Sequence, residues 1–324
     1  MMSQYILRRL LQMIPVLFII SILQFGLVNA VPGGPMKAYL LSPNVSPEDV
    51  QRLEESLGLH QPLPIRYLKW IGSVLHGDLG QSYFTHRPVT ESIAERLPAT
   101  VELGLAATLI GYVVGIPLGV YAALNRGSRL DHAIRLFTSA LNAVPHWWLG
   151  LLLIILLANI KVATGIQILP IAGIQSLSVQ GFNPLDNLWH LMLPAFLLGT
   201  GGWVTLARFM RSETLEVLGQ DYVRTAYAKG LTPRRVLYRH VLRNALVPVV
   251  TISAGLFVGL VSGAVIYENI FSWPGMGQLL YEATLQQDYP VSLAVFFILA
   301  LLAVVGRLLS DVAYTWVDPR IRYN

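Results

Sequence analysis

Long uninterrupted runs of apolar residues dominate the pattern of hydrophobic and polar positions along the chain. Six runs of 18 residues or more contain no Asp, Glu, Lys or Arg, and they cover residues 10–36, 103–125, 136–160, 187–207, 244–267 and 289–306. A helix needs about 20 apolar residues to cross a bilayer, and inside lipid the backbone must satisfy its own hydrogen bonds. The pattern therefore predicts an all-α integral membrane protein with six transmembrane helices.

A seventh uncharged run, residues 162–185, differs from these six. It contains five glycine or proline residues, and its apolar centre, 166–174, is too short to cross a bilayer. We expect an extracytoplasmic loop there, and a re-entrant segment is the alternative.

Lys and Arg residues are distributed unequally between the loops. Of the 23 Lys and Arg residues, sixteen lie on one predicted side of the membrane. They lie before the first run, between the second and third runs, between the fourth and fifth runs, or after the sixth. The two short loops on the other side contain only Lys161. Cytoplasmic loops carry the excess of Lys and Arg, so both termini are predicted to be cytoplasmic. The N-terminal residues resemble a secretory signal peptide, but their apolar run is longer than such a peptide's core, which favours a retained span.

The segment between the first two spans, residues 37–99, is amphipathic. It predicts three short helices, which start at Ser46, run from about Pro64 to His76, and follow Pro88. The segment forms either a small cap on the outer membrane face or a docking surface for an external partner. The remaining parts are 1–36, the N terminus with the first span, 100–312, the transmembrane core, and 313–324, a cytoplasmic tail.

Composition and charge exclude several classes of function. Only 13% of the 324 residues are charged and 54% are hydrophobic, whereas a soluble domain has about 25% charged residues. No charged residue lies inside a predicted span, which argues against ion-coupled carriers and channels because these usually use intramembrane ionisable groups. The sequence has no cysteine and no HExxH pair, so metal binding has little support, and it has no GxxxxGKS/T nucleotide-binding loop. An intramembrane enzyme has no candidate nucleophile–base pair in its favour. Energy for uphill transport would have to come from another protein.

Two predicted spans contain glycine ladders with a spacing of four residues. They are Gly111, Gly115 and Gly119 in the second span, and Gly255, Gly259 and Gly263 in the fifth. This spacing lets helix backbones approach closely in a membrane. The ladders pack either within this chain or against a second, similar membrane subunit.

The third predicted span carries a polar group in mid-membrane, Ser139, Asn142 and His146. Asn142 and His146 are four residues apart and would share one face of a continuous helix. The three side chains either form helix–helix hydrogen bonds or line a path for a solute.

The loop between the fourth and fifth spans is the most regular segment outside them. It predicts a helix from Ser212 to near Lys229, an elbow at Gly230, and a second short helix that starts at Thr232-Pro233. The polar side of the second helix has Arg234, Arg235, Arg239 and Arg243, and its apolar side has Val236, Leu237, His240 and Val241. The helix either lies on anionic lipid or transfers movement to a soluble partner.

Residues of this loop resemble a known family. Arg224-Thr225-Ala226 followed by Gly230 is similar to the EAA signature of bacterial ABC importer permeases, and DYVRTAYAKGL with RHVLRNALVPVVT (221–251) resembles the peptide and nickel subfamily. Further matches are ILRRLLQMIPVLF near the start, HGDLGQS (76–82), ERLPATVELGL (95–105), ENIFSWPGMGQLL (268–280) and DPRIRY (318–323). The signature glutamate is Arg224 here and Pro248 lies far from Gly230, and both departures are normal for the peptide-type branch.

This resemblance implies a type I ABC importer permease fold and the role of half a translocation path for di- or oligopeptides or a related small solute. It implies a bacterial inner-membrane location, a second permease subunit (a heterodimer), two cytoplasmic ATPase subunits that bind ATP and Mg, and an extracytoplasmic solute-binding protein. No cofactor is expected in this chain, which would itself be non-catalytic. The loop 212–247, hereafter the coupling loop, would contact the ATPase through Arg224, Thr225, Ala226, Gly230, Thr232, Pro233, Arg234, Arg235, Arg239 and His240. A stand-alone secondary transporter or channel is the alternative.

Overall fold

The computed structural model describes residues 2–30, 48, 58–179, 181–247, 249 and 264–317. Three sequence predictions therefore lie outside the described residues. They are the helix that starts at Ser46, the glycine ladder of Gly255, Gly259 and Gly263, and the end of the tail, 318–324.

Within these ranges the chain is built from helices. They are α1 (Met2–Ala30), α2 (Leu63–Leu75), α3 (Val89–Leu124), α4 (Arg129–Ala143), α5 (His146–Thr164), α6 (Pro184–Leu218), α7 (Asp221–Ala228), α8 (Pro233–Val236), a π-helical turn (Leu237–Val241), α9 (Leu242–Ala245), α10 (Met276–Gln286) and α11 (Tyr289–Val317). Residues 264–270 are also helical.

Among the described residues, five helices are long and apolar enough to cross a membrane. They are Leu7–Ala30 of α1, the whole of α3, α5 and α6, and Tyr289–Leu308 of α11. These segments overlap five of the six predicted spans. The predicted span 244–267 lies mostly outside the described residues. The run 162–185 begins in the last residues of α5, and from 165 to the start of α6 the described residues form no helix, as expected for a loop.

The third predicted span is broken into two helices. α4 ends at Ala143 and α5 begins at His146, so the prediction of one helix across 136–160 is wrong at this point. Pro145 has no N–H to donate and its ring excludes the carbonyl four residues earlier. The residue before a proline avoids the helical region, and Val144 is extended with φ −103° and ψ 134°.

The second predicted span is part of a much longer helix. The short helix expected after Pro88 and the span 103–125 are one element, α3, of 36 residues. At 1.5 Å per residue such a helix is about 54 Å long, whereas the hydrocarbon core is about 30 Å thick. One end or both ends of α3 therefore project beyond the lipid.

The chain divides into two compact units. The first comprises Met1–Thr100 and Pro274–Val305, and the second comprises Val101–Trp273 and Gly306–Asn324.

In the first unit, α1 and α2 pack through an aromatic cluster. Tyr67 of α2 lies edge-on to Phe18 and Phe25 of α1, with ring centroids 6.0 and 5.6 Å apart. The Tyr67 hydroxyl also shares a 2.7 Å hydrogen bond with the Ser21 hydroxyl, and both groups are buried. Edge-to-face rings and a satisfied buried hydroxyl are both favourable, so α2 is held firmly against α1.

A buried carboxylate fixes the loop between α2 and α3. The Ser82 hydroxyl donates to Asp288 Oδ2 at 2.5 Å, and the Tyr83 N–H donates to Asp288 Oδ1 at 3.3 Å. Asp288 is itself 2% exposed and precedes α11. The HGDLGQS segment (76–82) is therefore hydrogen-bonded, through Ser82, to the residue that precedes α11.

In the second unit, α3 and α6 approach each other through glycine. A Cβ atom at Gly115 would lie 2.7 Å from the Trp203 carbonyl oxygen, and one at Gly199 would lie 2.6 Å from the Ala107 carbonyl oxygen. A Cβ at Gly119 would collide with the Ala207 carbonyl oxygen, whereas one at Gly111 would meet its nearest atom at 3.9 Å. Two members of the ladder in α3 thus pack within this chain.

Candidate functional site

The coupling loop folds as a helical hairpin whose first arm is α7. α6 ends at Leu218 and α7 begins three residues later, so the prediction of one helix from Ser212 to near Lys229 is wrong. Gln220 has an extended backbone with φ −75° and ψ 146°. This conformation does not occur inside a helix, and α7 therefore starts as a new element.

Gly230 makes the turn between the two arms. Its φ of +77° lies in the left-handed region, which residues other than glycine adopt at a cost of about 1–2 kcal/mol. The Gly230 N–H donates to the Tyr227 carbonyl oxygen at 2.9 Å, and the Leu231 N–H donates to the Ala226 carbonyl oxygen at 3.3 Å, as in a Schellman motif. A Cβ at Gly230 would meet no atom within 4 Å, so this position needs glycine for its backbone angle and not for space.

The second arm is helical from Pro233 to Ala245 and contains the π-helical turn. Pro233 occupies the first helical position, where a missing N–H has no consequence, and the Thr232 side chain makes no capping hydrogen bond. Because a π-helical turn pairs residues five apart, Val236 and Val241 fall on the same face. Both side chains are fully buried.

A buried apolar core joins the hairpin to α3 and α6. Its members are Val120, Leu206, Met210, Val217, Val223, Ala226, Val236, Val241, Ala245 and Val249. Burying one valine or leucine side chain contributes about 1.5–3 kcal/mol to stability. The first arm supplies Val223, and the second supplies Val236 and Val241. The hairpin is therefore a rigid extension of these two helices.

A polar contact also connects the two arms. Asn244 Nδ2 donates to the Tyr222 hydroxyl at 2.9 Å and to the His240 carbonyl oxygen at 2.8 Å. Since Tyr222 lies on α7 and Asn244 on α9, this bond fixes the angle between the arms.

The opposite face of the hairpin is exposed and basic. Its exposed cations are Arg224, Lys229, Arg234, Arg235, Arg239 and Arg243. Arg224 lies 3.5 Å from Asp221, but these side chains are 75% and 96% exposed, and such pairs contribute little. Of the other coupling residues, Thr225 is exposed, Ala226 is buried and His240 is half-buried. A groove of about 360 Å³, lined by Tyr227, Leu237 and Tyr238 among others, adjoins Arg234.

A buried ion pair near the hairpin had no counterpart in the sequence predictions. Arg211 Nε and Nη2 donate to the two carboxylate oxygens of Asp131 at 2.7 and 2.8 Å. The Gly127 N–H donates to the same carboxylate at 3.0 Å, and Asp131 is fully buried. The hydrogen bonds from Arg211 hold the pKa of this carboxyl below its usual range. The local signal was the capping pattern of Ser128 and Asp131, which gives no information about a partner on α6.

The polar group predicted in the third span is divided by the break. Ser139 and Asn142 lie on α4 and are exposed, while His146 is the first residue of α5. Asn142 and His146 therefore do not share one helical face, and that part of the prediction is wrong. His146 Nδ1 is buried and has no hydrogen-bond partner among the described residues. Its ring lies beside Gly201 of α6, where a Cβ would be 3.5 Å from Nε2.

Two family models match the chain over most of its length. Residues 115–323 match the model described as "Binding-protein-dependent transport system inner membrane component", and residues 2–104 match the model for the N-terminal part of such components. The chain belongs to this family.

Curated relatives match the permease from end to end. The oligopeptide transport system permease protein AppB of Bacillus subtilis is 43% identical over 99% of this chain and 100% of its own. The dipeptide transport system permease protein DppB of Escherichia coli and the di/tripeptide transport system permease protein DppB of Pseudomonas aeruginosa are each 40% identical, over 100% of both chains. The permease is accordingly a multi-pass inner-membrane subunit of a binding-protein-dependent transporter.

The fold of the permease is also similar to a solved structure. A chain in inward-facing structures of the MetNI methionine ABC transporter has a TM-score of 0.55 and 18% identity, and the match covers 70% of the permease and 96% of that chain. The permease thus has the helical fold of an ABC importer membrane subunit.

Proposed function

We propose that the permease forms half of the translocation path of an ATP-driven importer for di- or oligopeptides or a related small solute. A second permease subunit, forming a heterodimer with this chain, would supply the other half. Two cytoplasmic ATPase subunits would bind ATP and Mg, and an extracytoplasmic solute-binding protein would deliver the solute. The names of the relatives, which are peptide permeases, support this class of substrate.

The observation that carries the proposal is the two-sided hairpin of the coupling loop. Its apolar side is fixed in a buried core, and its other side presents exposed arginines. Basic side chains of this kind recognise carboxylates, so we place the ATPase against this face, with Gly230 as the elbow and Pro233 to Ala245 as the coupling helix. Both termini are then cytoplasmic.

The hairpin is also placed to transmit movement. α6, which adjoins the hairpin core through Leu206, Met210 and Val217, has 35 residues and is about 52 Å long at 1.5 Å per residue. A displacement of the hairpin is therefore carried into the membrane without passing through a flexible loop. ATP-driven closure of the ATPases would in this way change the opening between the spans, and His146, at the break, would border the solute path with Ser139 and Asn142.

Replacing Gly230 tests the elbow. Gly230→Val should leave the assembled transporter in the membrane but reduce solute uptake at least about tenfold, because a strained left-handed valine shifts the second arm. ATP hydrolysis should continue without stimulation by the loaded binding protein. Uptake and ATPase activity in proteoliposomes measure both effects.

A matched control is available at Gly165, which follows α5. It has φ +73°, and a Cβ there would also meet no atom within 4 Å, but it lies outside the hairpin. Gly165→Val carries the same strain and should keep stimulated ATPase activity and uptake coupled. Equal coupling in both variants would contradict the role of Gly230.

A further inference from the structure

The first unit contains a pocket to which the proposed function assigns no role. Its volume is about 270 Å³, and α1, α2, the following loop and the start of α11 all contribute to its lining. One wall is apolar and includes Phe25, Trp70 and Leu293, which pack in one cluster. The polar lining includes Arg66, Lys69 and Tyr83.

Two cations in this pocket have no carboxylate partner among the residues that the structure describes. Arg66 Nη2 donates to Asn29 Oδ1 at 2.6 Å, but its Nε is buried and has no hydrogen-bond partner within the described ranges. Neither Arg66 nor Lys69 forms an ion pair with any described residue. A buried guanidinium N–H without an acceptor is unfavourable, so the guanidinium of Arg66 is left with incomplete hydrogen bonding.

Tyr83 adds a neutral donor to the same pocket. Burial, reinforced by Asp288, raises the pKa of its hydroxyl above the usual range, and the hydroxyl therefore stays protonated at neutral pH. Among the described residues of the lining, one is an acid, Asp78, which is exposed and accepts from the Gly80 N–H at 2.9 Å. With two cations and one carboxylate, the lining favours an anionic group.

The pocket lies where two membrane spans end. Phe25 and Asn29 belong to the last residues of the span Leu7–Ala30, and Tyr289 begins the span Tyr289–Leu308. The ends of spans lie at the depth of lipid headgroups, where Trp and Tyr side chains are enriched. At this depth an apolar wall faces acyl chains and a basic lining faces phosphates.

We propose that this pocket binds the headgroup of a phospholipid, with the phosphodiester held by Arg66 and Lys69. The phosphate oxygens accept from the side chains of Arg66 and Lys69 that line the pocket, and arginine is well suited to phosphate through its several N–H donors. Phe25, Trp70 and Leu293 contact the glycerol and the first acyl carbons. Bound lipid thereby joins α1, α2 and the start of α11 at one level of the membrane.

The test uses the assembled transporter, purified in detergent and stripped of lipid. It is titrated with dioctanoyl phosphatidylglycerol, and bound lipids are counted by native mass spectrometry. Arg66→Gln and Lys69→Gln should each weaken one saturable site about tenfold or more, the loss expected for a charge-assisted hydrogen bond. Lys161→Gln removes an exposed cation outside the pocket and should bind lipid like the unchanged protein.

Two further probes identify what the pocket recognises. Dioctanoylglycerol, which has the same chains and no phosphate, should leave the site empty, and millimolar inorganic phosphate should not displace the lipid. Displacement by phosphate would show a site for the free anion and overturn the lipid assignment. Unchanged lipid binding in both pocket variants would overturn the site itself. Because Lys69 is exposed, its replacement should not disturb folding. Lys69→Gln therefore tests lipid binding even if the Arg66→Gln transporter does not assemble.

Discussion

The Asp131–Arg211 pair shows how a buried charge makes a fold dependent on one residue. Removing a carboxylate from water is expensive, and attraction to its partner offsets this cost only when the hydrogen bonds are good. Here the two bonds of 2.7 and 2.8 Å meet both carboxylate oxygens. The pair therefore adds little to the stability of the fold compared with an apolar pair of similar size. Loss of one partner, however, leaves a buried charge without compensation, which is strongly destabilising.

Arg211→Gln should destabilise the permease by about 3 kcal/mol, the lower end of the range for breaking a buried pair. The exposed Arg208, on the same helix, provides the matched control, and Arg208→Gln should change stability by less than about 0.5 kcal/mol. Thermal unfolding of the detergent-solubilised protein measures both. Equal melting temperatures for the two variants would contradict the importance of the pair.

The same pair predicts a dependence on pH. The folded-state pKa of Asp131 lies below its ordinary value, which is about 3.9. Its contribution to stability is then fully present well above that value and is lost as the pH falls through the folded pKa. The difference in melting temperature between the unchanged protein and Asp131→Asn should be constant from about pH 7 to 5 and shrink below about pH 4. A difference that persists at lower pH would argue against the depressed pKa.

At the level of helices, the contact of α3 with α6 depends on which glycine is changed. A Cβ at Gly115 would lie 2.7 Å from backbone oxygen, whereas one at Gly111 would have 3.9 Å of clearance. Gly115→Ala should therefore lower the melting temperature clearly, because two backbones must separate. Gly111→Ala should be neutral or stabilising by up to about 1 kcal/mol, the helix propensity gained over glycine. Equal melting temperatures for the two variants would show that α3 and α6 are not in such close contact.

The sequence pattern predicted the helices better than their interruptions. Uncharged runs define spans because lipid admits few polar groups, and the five apolar helices overlap five of those runs. The break at Pro145 was not predictable, since a proline inside an apolar run is compatible with a kinked helix or with two separate helices. The π-helical turn at Leu237–Val241 was not predictable, because it depends on which valines the rest of the unit buries.

For the whole molecule, we propose that the energy for transport comes from partner subunits. The predicted spans contain no charged residue, and the sequence contains no nucleotide loop. Proteoliposomes that contain this chain alone should show no solute uptake. Co-reconstitution with the second permease subunit, the ATPases and the loaded binding protein should give ATP-dependent uptake that vanadate abolishes. Vanadate-insensitive uptake by the chain alone would instead support a secondary carrier.

Contacts between distant residues limited what the sequence could reveal about the sites. The basic face of the coupling loop was predictable because its arginines are close in sequence and follow a helical period. Asp131 and Arg211 are 80 residues apart, and Asn29 and Arg66 are 37 apart. No local pattern relates such positions, so the buried pair and the headgroup pocket required the folded chain.

The break between α4 and α5 also gives the permease an extra degree of freedom. Asp131 fastens α4 to α6 at Arg211, while α5 meets α6 where Gly150 faces Leu197, about 21 Å further along the helix. Two rigid segments joined by two residues have a hinge angle that a continuous helix lacks. We therefore expect α4 to move with the hairpin end of α6 while α5 keeps its tilt in the lipid, so that a rotation applied at the hairpin moves α4 more than α5.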